Sequence, residues 1–90
     1  MALEITKQPT NVTAAVGELV NIKVEASGTG LKYQWYVNRN DGAGFVENWS
    51  TYNYTNMTVK AAFNGYQYKC VVTDANGNVV ESEIVTLTVA

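Results

Sequence analysis

The sequence predicts an all-β fold, a sandwich or a barrel, on three observations. Apolar and polar residues alternate with period two in several separate segments. Turn-forming residues interrupt these segments at short intervals, the spacing expected of many short strands. Nowhere does an apolar period of 3.6 persist long enough to make a helix.

Taken in chain order, residues 3–8 and 11–15 read as two pieces of a first strand. Pro9, the sole proline, separates them, since it lacks a backbone donor and fits only an edge or a break. Residues 20–26 put Val20, Ile22, Val24 and Ala26 on one face and polar residues on the other. Residues 31–37 repeat the device with Tyr33, Trp35 and Val37 inward. Residues 66–72 and 84–89 are two further alternating strands. Turn signals lie at Val16-Gly17-Glu18, Ser27-Gly28-Thr29-Gly30, residues 40–44, Asn64-Gly65 and Asn76-Gly77-Asn78. Asn76-Gly77 is expected to form a type I′ hairpin joining the last two strands, because that turn needs positive φ at two successive positions.

Composition narrows the function classes. Ninety residues suit one domain, residues 1–90, with a single modest core. The chain is 47% hydrophobic and 16% charged, and it lacks the run of about 20 apolar residues that a membrane helix needs. No membrane insertion is expected. A net charge of −2, with five lysines and Arg39 scattered along the chain, argues against a nucleic-acid partner. Residues 1–3 show no signal-peptide pattern, and the chain stops on the alternating strand, so it reads as a module excised from a longer protein. The partners expected are neighbouring domains of that parent chain, and the module itself is expected to be a monomer. Cys70 is the only cysteine, which permits no internal disulfide and removes the usual inference to an oxidising compartment.

The residues then match a known pattern. The stretch Val24-Glu25-Ala26-Ser27-Gly28, then Tyr33-Gln34-Trp35-Tyr36, then Asn64-Gly65-Tyr66-Gln67-Tyr68-Lys69-Cys70, resembles the immunoglobulin superfamily over nearly the whole chain. The bacterial immunoglobulin-like repeats of surface and secreted proteins are the nearest likeness. The resemblance implies a Greek-key sandwich of about seven to eight strands in two sheets, located extracellularly or at the cell surface. It makes Trp35 the buried tryptophan of the third strand. It makes Tyr68 a tyrosine-corner residue whose hydroxyl bonds to nearby backbone.

The departure is at Val24, where disulfide-bearing relatives carry a cysteine that bonds the Cys70 position. A bridge over that span would contribute roughly 4 kcal/mol, out of a typical total stability of about 5–15 kcal/mol. Burying a valine recovers only about 1.5–3 kcal/mol. The core is therefore expected to lean on Trp35, Tyr33, Ile22, Val72 and Leu87, with Cys70 as a small buried apolar residue.

Chemistry is sparse. Histidine is absent, which removes the usual general base and the commonest zinc ligand. The eight carboxylates are dispersed, with no acid/base spacing. Asp74-Ala75-Asn76-Gly77-Asn78 lacks the ligand spacing of a calcium loop and reads as a turn. Neither an enzyme nor a cofactor is expected.

One segment invites a binding role. Phe45, Trp49, Tyr52 and Tyr54 fall within ten residues, interleaved with small polar residues, a composition suited to a carbohydrate or protein platform. The plainer reading has Phe45 and one or two of the others covering the sheet where a short strand crosses to the opposite layer. Trp49, Tyr52 and Tyr54 are the candidate ligand-contacting residues. Asn11, Asn48, Asn53 and Asn56 each head an Asn-x-Ser/Thr triplet, read here as the Asn/Thr richness of strands and turns rather than as glycan acceptors.

Overall fold

The alternating segments form strands at the expected places. The computed structural model describes residues 3–90; Met1 and Ala2, part of the start that shows no signal-peptide pattern, lie outside the described residues. Ten strand segments follow in order: β1 (Glu4–Lys7), β2 (Val12–Ala14), β3 (Leu19–Lys23), β4 (Glu25–Ser27), β5 (Lys32–Asn38), β6 (Phe45–Glu47), β7 (Tyr54–Thr58), β8 (Gln67–Thr73), β9 (Val79–Glu81) and β10 (Val85–Val89). A single 3₁₀ turn, Ala61–Phe63, precedes β8.

Three interruptions turn seven strands into ten segments. The first is at Pro9. β1 pairs antiparallel with β4, whereas β2 pairs parallel with β10, so the chain changes layer at the proline. The second is at Val24, where the run from β3 to β4 breaks its ladder and the Val24 N–H donates instead to Asn53 O at 2.9 Å. The third lies between β9 and β10, both partners of β8, where the register slips by one residue. Ser82 fills that slip: its hydroxyl accepts from the Cys70 N–H at 2.8 Å, while its own N–H donates to Cys70 O at 2.8 Å.

One layer is therefore β1-β4 continued by β3-β7. The other runs β2-β10-β8-β5-β6, with β9 also on β8. Between them lies one cluster that includes Val20, Ile22 and Val24 from the first layer and Trp35, Val37, Tyr68, Cys70, Val72 and Leu87 from the second. Val24, Trp35, Cys70, Val72 and Leu87 are wholly buried. Tyr33 is only half-buried and packs at the cluster's edge, so it carries less of the core than its place in the alternation implied. Burial pushes the Cys70 thiol up to about 12, which leaves it a neutral packing group.

Three sequence expectations need correction. The Asn76-Gly77 hairpin joins β8 to β9 rather than to a continuous last strand, and it is not type I′, because only Gly77 has positive φ (83°). Asp74 decides the turn: its Oδ1 accepts from the N–H groups of Asn76 and Asn78, both at 2.9 Å, and its Oδ2 accepts from Asn78 Nδ2 at 3.0 Å. With the Gly77 N–H donating to Asp74 O, the loop is a carboxylate-capped turn followed by a left-handed glycine.

Secondly, β6 does not cross to the opposite layer. It pairs with β5, Val37 opposite Val46, and residues 48–53 make the crossing. Phe45 faces outward, where Lys69 Nζ sits 4.8 Å from its ring centre.

Thirdly, the tyrosine-corner bond is not formed. Tyr68 is buried, yet its hydroxyl bonds to no group among the described residues. The upstream amides are already committed: Phe63 N–H to Lys60 O, Asn64 N–H to Ala61 O, Gly65 N–H to Leu87 O and Tyr66 N–H to Phe63 O. No upstream amide is free to donate to the phenol, and the phenol O–H donates to no backbone carbonyl among the described residues.

Two predictions follow from the core and the turn. Val24→Cys should oxidise with Cys70 and raise the unfolding free energy by about 3–4 kcal/mol, a gain abolished by reductant; failure to oxidise would mean that the two positions do not face each other. Hydrogen bonds from Asn78 hold the Asp74 carboxyl below the usual carboxylate range. The stability that it contributes is complete above the unfolded aspartate value of about 3.9 and fades as pH falls through the lower folded value. Asp74→Ala should therefore be less stable at neutral pH and lose less on acidification below about pH 4, as read by urea unfolding at several pH values.

Candidate functional site

Residues 48–54 are the part of the chain least governed by strand alternation, and they hold the aromatic candidates. Their path is set by β5. The Asn48 N–H donates to Trp35 O at 2.8 Å, the Trp35 N–H to Ser50 O at 3.1 Å, and the Trp35 indole N–H to Tyr52 O at 2.8 Å. Gln34 Nε2 adds a bond to Asn48 O at 2.9 Å. The next carbonyl, of Asn53, takes the Val24 amide from the other layer. The segment is thus bonded to both sheets.

Polar side chains complete the lock from within. Asn48 Oδ1 accepts from the Ser50 N–H at 3.1 Å and from the Thr55 hydroxyl at 2.8 Å. The Ser50 hydroxyl donates to Tyr54 O and accepts from the Tyr52 N–H. Ser50 and Thr55 are wholly buried. Sequence reasoning passed over Asn48, Ser50 and Thr55 as positioning residues, because inward polar groups on a loop break no alternation. Their Asn-x-Ser and Asn-x-Thr spacing was the only signal. The Asn48 triplet is spent on this network. Asn11 is likewise engaged, accepting the Thr86 N–H at 2.8 Å.

With the backbone fixed inward, the rings project outward. Trp49 is 57% exposed and Tyr52 58%. Tyr54 is half-buried and stacks on Tyr52, ring centres 5.7 Å apart and planes 13° apart. Trp49 does not join that stack. It lines a separate groove of about 220 Å³ between the layers, together with Val37, Arg39, Asn48, Met57, Tyr68 and part of Asn56. The Phe63 and Tyr66 rings, stacked at 5.0 Å, form the groove's far wall. The three candidate aromatics therefore make two features, a two-ring stack and a groove wall.

Several of the carboxylates serve structure. Glu25 and Glu81 are taken up by Lys7 at 3.9 Å and Lys69 at 2.9 Å, Glu18 accepts the Ala15 N–H, and Asp74 serves its turn. Among the described residues, no three histidine, cysteine or acidic side chains gather closely enough to hold a metal ion.

No family model matches the chain, and no curated protein matches it in sequence. Solved structures do match. A crystal structure of Duf (Kirre) superposes with a TM-score of 0.71 at 19% identity, covering 99% of this chain and 97% of that one. The immunoglobulin domains 1–5 of Sidekick-1 give 0.71 at 17% identity, covering 97% of this chain and 19% of that one. The fold is immunoglobulin-like. A titin I-band fragment, at 0.70 and 21% identity, covers 99% of this chain and 33% of its own length, so this module spans one part of a longer array in two of the three. At these identities the likeness concerns the fold.

Asn48→Ala should lower the unfolding free energy by about 1–3 kcal/mol, because it strips the acceptor from a buried hydroxyl and a backbone amide. Trp49→Ala should change it by less than about 1 kcal/mol. Denaturant titration of the two variants checks the contrast, and equal losses would mean that the ring, not the amide, holds the loop.

Proposed function

We propose that this chain is a non-catalytic immunoglobulin-like module that works in series with neighbouring domains, as a spacer or adhesion element of a bacterial cell-surface or secreted protein. The observation that carries the reading is where the two chain ends leave the sandwich. Leu3 packs beside Gly28, at the pole where the Ala75 N–H also bonds to Thr29 O. At the other end, the Ala90 N–H donates to Ala14 O and the Val89 N–H to Asn64 Oδ1. The ends thus exit at opposite poles of a body measuring 41 × 24 × 18 Å. A chain entering at one pole and leaving at the other extends a stalk instead of folding back.

Other features support this reading. The resemblance to bacterial surface repeats supports the location, and the multidomain fragments of Sidekick-1 and titin show the same fold used in arrays. A net charge of −2 gives no attraction to a phosphate backbone. No helix among the described residues is long and apolar enough to cross a membrane.

A second reading, a carbohydrate- or protein-binding module, is favoured by one observation: Trp49 is more than half exposed and at the same time forms the wall of a groove. The groove lies toward the pole of the last strand's end, with Phe63 and Tyr66 flanking the Asn64 that accepts the Val89 N–H, so the two readings share that end of the sandwich.

Head-to-tail concatemers of one, two and three copies test the serial reading by small-angle X-ray scattering. The maximum dimension should grow by an increment close to the 41 Å long axis with each copy. A dimension that hardly grows, from copies folding side by side, would count against it.

A further inference from the structure

The groove beside Trp49 holds a set of polar groups that the fold itself leaves unused. Tyr68 is the most telling. It is only 3% exposed and lines the groove, and its hydroxyl has no partner among the described residues. No fully buried side-chain polar atom lacks a hydrogen bond, so the phenol oxygen must be the part of Tyr68 that opens onto the groove. Burial raises its pKa to about 12, with the Tyr66 phenol adding to the rise and Arg39 opposing it. Tyr68 thus presents an intact O–H donor at neutral pH.

The neighbouring groups are also free. Arg39, the only arginine, makes no ion pair and no stacking contact with an aromatic ring among the described residues. Asn48 has spent its oxygen on Ser50 and Thr55, which leaves its NH₂ unbonded beside the groove. No carboxylate lines the groove. One wall is the exposed Trp49 ring, a flat apolar face beside a row of donors.

We propose that this groove binds a carboxylate-bearing sugar residue, a uronate unit of an acidic oligosaccharide, with its ring against Trp49 and its carboxylate on Arg39. The proposal rests on the binding-module reading and gives it a substrate class. A guanidinium presents two parallel N–H groups that match a carboxylate, and this one has no internal competitor. The Asn48 amide and the Tyr68 phenol supply the mixed donors and acceptors that ring hydroxyls require. The volume of about 220 Å³ equals roughly seven waters. It falls below the roughly 300–1,000 Å³ of pockets that enclose drug-sized ligands, so it takes one ring while the rest of the chain runs out over the surface. The Tyr52–Tyr54 stack lies outside the groove and is not part of the site.

The test titrates the intact chain with trisaccharides of galacturonate, mannuronate and glucuronate, each paired with its uncharged methyl ester, by calorimetry and tryptophan fluorescence. At least one uronate should bind saturably, its ester about tenfold more weakly. Arg39→Gln should erase that difference, Trp49→Ala should abolish binding, and Tyr68→Phe should weaken it about threefold with unchanged melting temperature. Tyr52→Ala should leave affinity intact. Equal affinity for acid and ester would overturn the uronate assignment while leaving the binding reading standing. Binding lost in Tyr52→Ala but kept in Trp49→Ala would move the site to the other aromatics and overturn the groove. No binding by any member of the panel at millimolar concentration would overturn the uronate assignment, leaving the serial role and a protein-binding role untouched.

Discussion

Everything outside the two sheets depends on how the Trp35 indole is buried. The ring is wholly enclosed between the layers, the largest side chain to be so. Its N–H cannot be left without an acceptor there, because an unpaired buried donor costs about 1–3 kcal/mol. Tyr52 O supplies the acceptor at 2.8 Å, and it does so from a loop that has no strand partner of its own. The need to satisfy one indole therefore fixes the route of residues 48–53, and the Trp35 backbone adds two more bonds to the same loop. In domains with a bridge between the sheets, covalent chemistry ties the layers; here Val24 and Cys70 are both wholly buried apolar members of one cluster, and the tryptophan carries more of that duty.

The fixed loop accounts for the exposed aromatics. Because Ser50, Asn48 and Thr55 bond inward, the Trp49 and Tyr52 rings are left on the outside, each more than half exposed. Exposed aromatic rings on a locked backbone lose little conformational freedom on meeting a ligand, which is the physical basis for reading the region as a binding surface. The poles of the sandwich are marked by the Asp74-capped hairpin at one end and the Ala14–Ala90 pairing at the other, and the groove lies toward the second.

Alternation in the sequence located β3, β5, β8 and β10 and their inward residues Val24, Trp35, Tyr68 and Cys70, since a half-buried strand leaves a period that needs no tertiary knowledge. Pro9 marked the change of layer for an equally local reason. What the sequence hid was decided by partners distant in the chain. Asn76-Gly77 carries the local preference for a type I′ turn, yet the Asp74 carboxylate outweighed it by gathering two backbone amides and a side chain. The Tyr68 hydroxyl opens onto the groove instead of bonding to upstream backbone, an orientation set by packing between the layers and not by local sequence. Trp49, Tyr52 and Tyr54 looked like one patch by proximity in sequence, and only the loop's path shows that Trp49 turns toward Arg39 and Tyr68 while the tyrosines stack on each other.

The central claim, that the buried Trp35 indole and its bond to Tyr52 anchor the crossing loop as firmly as the core itself, is tested most directly by native-state hydrogen exchange of the two indole protons. The Trp35 indole proton should exchange only through global unfolding, with the same protection and denaturant dependence as the Cys70 amide at the centre of β8, while that of exposed Trp49 exchanges close to the free rate. A Trp35 indole proton that exchanges orders of magnitude faster than the Cys70 amide, with little denaturant dependence, would show the loop opening on its own and would contradict the account.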